Sequence, residues 1–495
     1  MADSDTSPRL KEQTAGSVKW NFIDKVSQQA LYAVTGVVLA NLLSDTDFGL
    51  VGAVLVFQAF ASLLVDSGFS YALLQRKRPS RLDYSTVLWF NLAVAVAIYA
   101  VLFFCAPLIA AIFGHDARLI PLSRVMFLSF ILNAACIVQV NRLMKEMRVK
   151  VVALSNSAGL FAGAVVGIGL AVAGYGAWAI VWQTLTLNAV KGVTLWIAGR
   201  WTPVFKFSRE SLKSFFAVGS SMMATSFLNT LFQNIYSFFI GYKAGLAPLG
   251  YYTQADKWSK MGVTTVQQTL VSAFLPTLSE VQDDPVRFAR ASAKMNRVTA
   301  YMLFPLMGFL TVMATPVFHC LFGTKWNLSI VLFQILLVRG IFTVLNATYA
   351  NYAIALARTR LVFWLEVVRD SVALLLLAVT IPWIAAETDG NMVWGLEILL
   401  WGQLLASFVT WIVTLMKTAP LTGRGIGAFL KDLAPYAALT LVAMATMWAE
   451  SLWLTNPWGL FTLQGATGLA IYLGANALLG SKIQREALLF VFKRK

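Results

Sequence analysis

The sequence predicts an all-α polytopic membrane protein with about fourteen transmembrane helices, in two parallel-repeat six-helix lobes followed by two C-terminal helices. Three observations predict this fold class: the composition, the distribution of basic residues among the loops, and an internal repeat. Of the 495 residues, 58% are hydrophobic and only 13% are charged, whereas soluble proteins carry about 25% charged residues. The apolar residues therefore belong to membrane-embedded helices.

Apolar stretches long enough to cross a bilayer follow one another along the chain. The predicted spans 1 to 14 cover residues 22–43, 48–69, 84–104, 119–139, 150–172, 176–198, 214–240, 249–275, 298–320, 328–352, 361–381, 391–416, 433–453 and 458–480. They divide the chain into a cytoplasmic N-terminal segment (1–21), an N-lobe (22–198), a cytoplasmic linker (199–213), a C-lobe (214–416), a cytoplasmic loop (417–432), helices 13 and 14 (433–480) and a cytoplasmic tail (481–495).

Basic residues are concentrated in alternate loops. Of the 39 lysines and arginines, 29 fall in segments on the same side as the N-terminus, three fall in the opposite loops, and seven fall within or beside spans. Because an excess of Lys and Arg marks cytoplasmic loops, both termini are predicted to be cytoplasmic. The net charge of +16 thus reflects membrane topology, and nucleic acid is not expected as a partner.

Other features bear on cofactors and processing. The three cysteines and two histidines show no spacing typical of a metal site or a disulfide. Residues 1–19 are polar, so no removable signal peptide is expected. No glycine-rich phosphate loop and no other enzyme pattern is present. We therefore predict a transporter without a cofactor, and expect a proton or sodium ion as its coupling ion.

Two motifs recur in the same order along the chain. Phe48-Gly49-Leu50 opens the second span, and Leu249-Gly250-Tyr251 opens the eighth. The segments Pro107 to Gly114 and Pro316 to Gly323 each end an outward-going span with the same spacing. Six spans per copy is an even number, so both copies have the same orientation, as in transporters built from parallel repeats.

Charged residues lie within the predicted spans, where a charge facing lipid costs roughly 2.5–3.5 kcal/mol. We therefore expect them to face a wet interior, which would be a pathway or a binding site. The nine residues are Asp24, Lys25, Asp256, Lys257, Lys260, Arg339, Glu366, Arg369 and Asp370.

Polar side chains share helical faces with some of these charges, at steps of three and four residues. The span 1 face holds Asn21, Lys25, Gln28, Tyr32 and Thr35, and the span 7 face holds Thr225, Asn229, Gln233 and Tyr236. Amides, hydroxyls and aromatic rings suit sugars, and lysines suit a diphosphate. The alternative interpretation is that these faces form interhelical hydrogen bonds.

The acidic residues within the spans also have two interpretations. Asp256 and Lys260 are four residues apart on span 8 and could neutralise each other. Glu366 and Asp370 lie on one face of span 11, where like charges raise each other's proton affinity, as a coupling site requires. Pairing of these carboxylates with Arg369 or Arg339 is the structural alternative. Asp24, Asp256, Glu366 and Asp370 are thus the candidates for ion coupling.

Several motifs resemble those of the polysaccharide-transporter flippases of the multidrug/oligosaccharidyl-lipid/polysaccharide exporter superfamily. They are Leu42-Leu43-Ser44, Phe48-Gly49-Leu50, Asp66-Ser67-Gly68-Phe69, Ala72-Leu73-Leu74-Gln75-Arg76, Ser85-Thr86-Val87, Trp89-Phe90-Asn91, Leu249-Gly250-Tyr251-Tyr252, Ala255-Asp256, Phe274-Leu275-Pro276-Thr277-Leu278-Ser279, Phe322-Gly323 and Lys325-Trp326. The resemblance fades after span 12.

The resemblance implies two six-helix lobes that work by alternating access. It implies a substrate of undecaprenyl-diphosphate-linked oligosaccharide, moved to the outer leaflet of a bacterial inner membrane for the synthesis of O-antigen, capsule or exopolysaccharide. Membrane lipid, a polysaccharide polymerase and a chain-length protein are then the expected partners. A related branch flips the peptidoglycan precursor and holds its diphosphate with basic residues on spans 1, 2 and 8, but span 2 of this chain has none.

The sequence thus predicts a lipid-linked oligosaccharide flippase. Its expected substrate-binding residues are Lys25, Lys257, Lys260, Arg339, Gln28, Tyr32, Asn229 and Gln233. One alternative is a multidrug exporter of the same superfamily, although the internal basic residues count against cationic drugs. The other alternative is a membrane oligosaccharide polymerase or ligase, although the outward loops are short for such an enzyme.

Overall fold

The computed structural model describes residues 8–66, 68–384 and 394–486, and these ranges contain helices and no strand. The predicted terminal segments therefore extend beyond the described residues at 1–7 and 487–495, and Ser67 also lies outside them. The α-helices are α1 Pro8–Leu42, α2 Asp45–Asp66, α3 Phe69–Gln75, α4 Arg81–Ile112, α5 Leu119–Met126, α6 Leu128–Lys145, α7 Val149–Val172, α8 Trp178–Gly199, α9 Arg209–Ala244, α10 Leu246–Glu280, α11 Pro285–Val312, α12 Ala314–Phe322, α13 Asn327–Ala355, α14 Thr359–Ile384, α15 Trp394–Thr418, α16 Ile426–Glu450 and α17 Pro457–Leu478. Two 3₁₀ helices occur at Thr324–Trp326 and Pro420–Thr422.

The all-α membrane fold predicted from the sequence is confirmed. Within the described ranges, all α-helices except α3, α5 and α12 have 18 or more residues. Seven helical segments are long and apolar enough to cross a membrane, or eight if the bent pair of α11 and α12 is one span. The number of fourteen crossings therefore stays a prediction.

The ninth predicted span is interrupted. It falls on α11 and α12, which meet at an angle of 63°. Pro316 lies in the first turn of α12 and has no N–H to donate to the carbonyl of Val312, the last residue of α11. Pro107, its counterpart in the repeat, lies inside the continuous helix α4. The two copies thus share the proline but not the break.

The chain divides into two compact units, Met1–Gly250 and Tyr251–Lys495. The first unit contains α1 to α9, and the second contains most of α10 and the helices that follow. This division follows packing, whereas the predicted lobe boundaries follow the repeat, and those boundaries stay a prediction.

The two copies of the glycine motif touch within the first unit. A Cβ atom on Gly49 would overlap the backbone carbonyl of Leu246, and a Cβ atom on Gly250 would overlap that of Asp45. Each carbonyl belongs to the residue four positions before the other glycine, so the contact is reciprocal. Only glycine allows backbones to approach so closely.

The segment between α8 and α9 is fastened to the start of α4. The Arg81 side chain donates hydrogen bonds to the carbonyl of Thr202 at 2.9 and 3.0 Å, and the Trp89 indole donates to the carbonyl of Val204 at 3.0 Å. The backbone N–H groups of Val204 and Ser208 donate to the hydroxyls of Ser85 and Thr86. The predicted linker is therefore an ordered part of the first unit.

In the second unit, α13 packs on α15, α14 packs on α15, and α16 packs on α11 and α17. At one end of this packing, Asp432 of α16 lies 2.7 Å from Arg424 and 3.6 Å from Arg297 of α11. Tyr349 of α13 donates a 2.8 Å hydrogen bond to Asn296 of α11. The two contacts of Asp432 attach α16 to the segment before it and to α11, and the contact of Tyr349 attaches α13 to α11.

Candidate functional site

The polar face predicted on span 1 forms one side of α1. Lys25 is exposed, Gln28 is half-buried, Tyr32 is exposed and Thr35 is buried. The Lys25 end of this face is therefore exposed, and the Thr35 end is buried. The side chain of Asn21 is not among those described.

Asp24 lies beside this face and contacts α7. Asn156 of α7 donates a 3.1 Å hydrogen bond to Oδ2 of Asp24. The other carboxylate oxygen, Oδ1, is buried and has no hydrogen-bond partner among the described residues. A buried carboxylate oxygen without a donor is unfavourable, and a bound cation or a proton would satisfy it.

Lys25 and Asp24 do not neutralise each other, although they are adjacent in the chain. Within the described part of the protein, no carboxylate oxygen lies within 4.0 Å of the Lys25 ammonium. The ammonium is therefore available to an anionic ligand.

The face predicted on span 7 lies on α9 in the first unit. Asn229 and Gln233 are exposed, and Tyr236 is buried. The side chain of Thr225 is not among those described. The two exposed amides are accessible, as contact with a sugar would require.

The charges of α10 form one ion pair and leave one cation. Lys260 Nζ lies 2.6 Å from Asp256 Oδ2. Lys257 lies 5.3 Å from the centre of the Trp258 ring, and it has no ion pair with the carboxylates that the structure describes. Asp256 therefore forms an ion pair with Lys260, whereas the Lys257 ammonium lies over the Trp258 ring.

The charges of α14 form a closed group. Arg369 Nη2 lies 2.5 Å from Glu366 Oε2 and 3.0 Å from Asp370 Oδ1. The sequence left open whether these carboxylates pair with Arg369 or with Arg339, and the structure pairs them with Arg369. One guanidinium thus lies between two carboxylates.

Arg339 of α13 has a neutral partner. Its Nη1 donates a 2.8 Å hydrogen bond to Oε1 of Gln403 on α15. Sequence reasoning did not identify Gln403, although an isolated amide in an otherwise apolar span is a signal that could have found it. No group of three His, Cys, Asp or Glu residues in the described ranges could hold a metal ion.

The comparisons with known proteins agree on the class of molecule. A family model described as polysaccharide biosynthesis protein matches residues 38–331. The succinoglycan biosynthesis transport protein ExoT of Rhizobium meliloti (strain 1021) is 26% identical over 354 residues and 71% of each chain. The teichuronic acid biosynthesis protein TuaB of Bacillus subtilis (strain 168) is 25% identical over 476 residues and 95% of each chain.

Among solved structures, the lipid II flippase MurJ in its inward closed conformation matches with a TM-score of 0.70 and 13% identity. The match covers 96% of this chain and 100% of that one. At this level of identity the match concerns the fold, which is that of a multi-helix membrane transporter.

Proposed function

Because the chain belongs to the polysaccharide biosynthesis protein family, we propose that it is a flippase for undecaprenyl-diphosphate-linked oligosaccharide. It is a multi-pass membrane transporter and not an enzyme. In the proposed function, it moves single repeat units across a bacterial inner membrane by alternating access. A polymerase that joins these units on the outer face, with a chain-length protein, would consume the product.

Two lysines, one in each unit of the protein, carry this proposal, because neither has an ion-pair partner among the described residues. Lys25 of α1 and Lys257 of α10 lie in helices of membrane-spanning length, where a charge needs a counter-charge. A diphosphate supplies several anionic oxygens, which bind ammonium groups through charge-assisted hydrogen bonds. Lys260 of α10 is a further candidate, and it is paired with Asp256 in this structure.

The exposed polar residues fit the sugar part of the substrate. Gln28 and Tyr32 lie on the same face of α1 as Lys25, and Asn229 and Gln233 are exposed on α9. Amides both donate and accept hydrogen bonds, so they match sugar hydroxyls better than a single charge does.

The proposal includes ion coupling through an acidic residue. Asp24 is the strongest of the four acidic candidates, because one of its oxygens is buried without a donor in the described structure. Asp256, Glu366 and Asp370 already have cationic partners. A proton or a sodium ion at Asp24 would satisfy that oxygen and link transport to an ion gradient.

The test is the double substitution Lys25→Gln and Lys257→Gln, in cells whose surface polysaccharide is quantified together with the amount of protein in the membrane. We expect export to stop and single lipid-linked repeat units to accumulate. Lys77→Gln with Lys417→Gln is the matched control, because both of these lysines are exposed and have no ion pair among the described residues. Normal export by the first variant would contradict the site assignment.

The fold is common to the whole superfamily and does not by itself exclude a multidrug exporter. The lysines favour an anionic substrate over a cationic drug. Deletion of the gene should therefore reduce surface polysaccharide without increasing sensitivity to cationic drugs. The opposite result would favour the exporter.

A further inference from the structure

Arg339 carries a positive charge that the described protein does not neutralise. The residue lies in the middle of α13, a helix long and apolar enough to cross a membrane. No carboxylate in the described ranges lies within 4.0 Å of its guanidinium. Its hydrogen-bond partner is the neutral amide of Gln403.

Arg369 of α14 shows what a neutralised arginine looks like in the same unit. Its guanidinium lies within 3.0 Å of the carboxylates of both Glu366 and Asp370. A guanidinium keeps its proton at any physiological pH, so Arg339 cannot reduce its cost by becoming neutral, as a lysine can. A counter-charge from outside the described protein is the remaining way to compensate it.

Gln403 is a second, independent sign of a missing ligand. Its side chain is 2% exposed, and its Nε2 group has no hydrogen-bond partner among the described residues. The bond from Arg339 to Oε1 fixes the orientation of the amide and leaves Nε2 as an unused donor. An unused buried donor costs about 1–3 kcal/mol. The pair thus combines unsatisfied positive charge with an unsatisfied donor.

We propose that Arg339 and Gln403 form a binding site for an acidic group of the transported lipid-linked glycan. This inference rests on the proposed function. The ligand is an oxyanion, because the N–H groups of a guanidinium and of an amide both donate hydrogen bonds to such a group. A carboxylate on a sugar and a phosphate of the carrier share this chemistry.

The same contact has a plainer structural explanation. A hydrogen bond between Arg339 and Gln403 would hold α13 against α15, as polar side chains do between membrane helices. The two explanations differ in what a carboxylate at position 403 would do. It would strengthen a structural contact, but it would also occupy the positive charge that a ligand needs.

The decisive variant is therefore Gln403→Glu. The new carboxylate would pair with Arg339, so we expect normal thermal stability and at least about a tenfold loss of export. Gln464→Glu is the matched control for burying a carboxylate. Gln464 is a fully buried amide of α17 that donates to the carbonyl of Met447. We expect this control to lose stability, because the described partner of Gln464 is a backbone carbonyl and not a cation that could pair with the new carboxylate. Normal export by Gln403→Glu would overturn the proposal.

A binding measurement separates the two sources of the anion. The purified full-length protein is heated in sodium pyrophosphate, in sodium glucuronate, and in sodium chloride of equal ionic strength. We expect one of the first two salts to raise the unfolding temperature of the wild type, and Arg339→Gln to lose that increase. Loss with pyrophosphate assigns the site to the carrier phosphate, and loss with glucuronate assigns it to a sugar carboxylate. An equal response of wild type and variant to both salts would overturn the proposal.

The failure of this inference can be distinguished from the failure of the proposed function. If Arg339→Gln and Gln403→Glu export normally while the Lys25 and Lys257 double variant does not, the protein is a flippase without this site. If the double variant exports normally as well, the proposed function itself is at fault.

Discussion

Helices α1 and α14 both carry acidic and basic residues within apolar sequence, but the structure treats the two sets of charges differently. On α14, Arg369 lies between Glu366 and Asp370, within 3.0 Å of both. On α1, Lys25 forms no ion pair with a described carboxylate, and one buried oxygen of Asp24 has no donor among the described residues. The charges of α14 form ion pairs with one another, whereas those of α1 form no ion pair with the described residues.

The difference shows why a charge in a membrane helix is not by itself evidence of a binding site. A closed group satisfies its own charges and fits a structural role, and it needs no ligand to be stable. A charge without an ion-pair partner destabilises the protein until a ligand or an ion binds to it. The following substitutions test whether the charges of α1 and α14 differ in function.

The largest effect is expected for Lys25→Glu. It replaces the open cation by an anion next to Asp24, so a diphosphate would be repelled. We expect export to fall about a hundredfold, measured as surface polysaccharide per membrane-inserted protein. Lys150→Glu is the charge-matched control, because Lys150 is exposed at the start of α7. Equal losses of export in both variants would contradict the assignment of Lys25 to the substrate-binding site.

The next effect is expected for Arg369→Gln, which leaves two carboxylates without their guanidinium. The Arg369 and Glu366 side chains are 35% and 47% exposed, so the free energy of unfolding should fall by about 1 kcal/mol. The triple variant with Glu366→Gln and Asp370→Asn removes the repulsion as well. It should recover thermal stability and export if the group is structural. Recovered stability with lost export would instead assign ion coupling to Glu366 or Asp370.

A smaller effect is expected for Asp24→Asn. The change removes a carboxylate that has only one described hydrogen bond, so the unfolding temperature should stay the same or rise. Export should nevertheless fall about tenfold if the carboxylate binds a coupling ion. The measurement is export across a range of proton and sodium gradients. Unchanged export at every gradient would exclude Asp24 from coupling.

The smallest effect is expected for Asp256→Asn, which releases Lys260 from its ion pair. The Lys260 side chain is 46% exposed, and exposed pairs four residues apart on a helix contribute only about 0.5 kcal/mol. We expect nearly unchanged stability and a decrease in export of less than about twofold. A collapse of export would show that Asp256 has a function beyond its pair with Lys260.

Contacts within one helix could be predicted from the sequence, because helical geometry fixes the positions of neighbours. The steps of three and four residues placed Lys25, Gln28 and Tyr32 on one face of α1. The same rule predicted that Asp256 and Lys260 could pair, and they lie 2.6 Å apart. For Glu366 and Asp370, it named Arg369 as one of two candidate partners.

Contacts between helices could not be predicted in this way. Gln403 is 64 residues from Arg339 in the chain, and Asn156 is 132 residues from Asp24. No periodicity connects residues on different helices, so the sequence contained no rule that would pair them. The break between α11 and α12 was also missed, because hydropathy measures apolar length, and the proline alone does not distinguish this pair from the continuous helix α4.

The amino-acid sequence by itself determined that this protein is an all-helical membrane protein and which faces of its helices are polar, because hydropathy and helical periodicity depend only on local order. The tertiary structure decided which charges are neutralised and which stay open. That outcome depends on a few ångströms between side chains of distant helices, over which the electrostatic energy changes steeply. It distinguishes Arg369, which lies between two carboxylates, from Arg339, whose partner among the described residues is an amide.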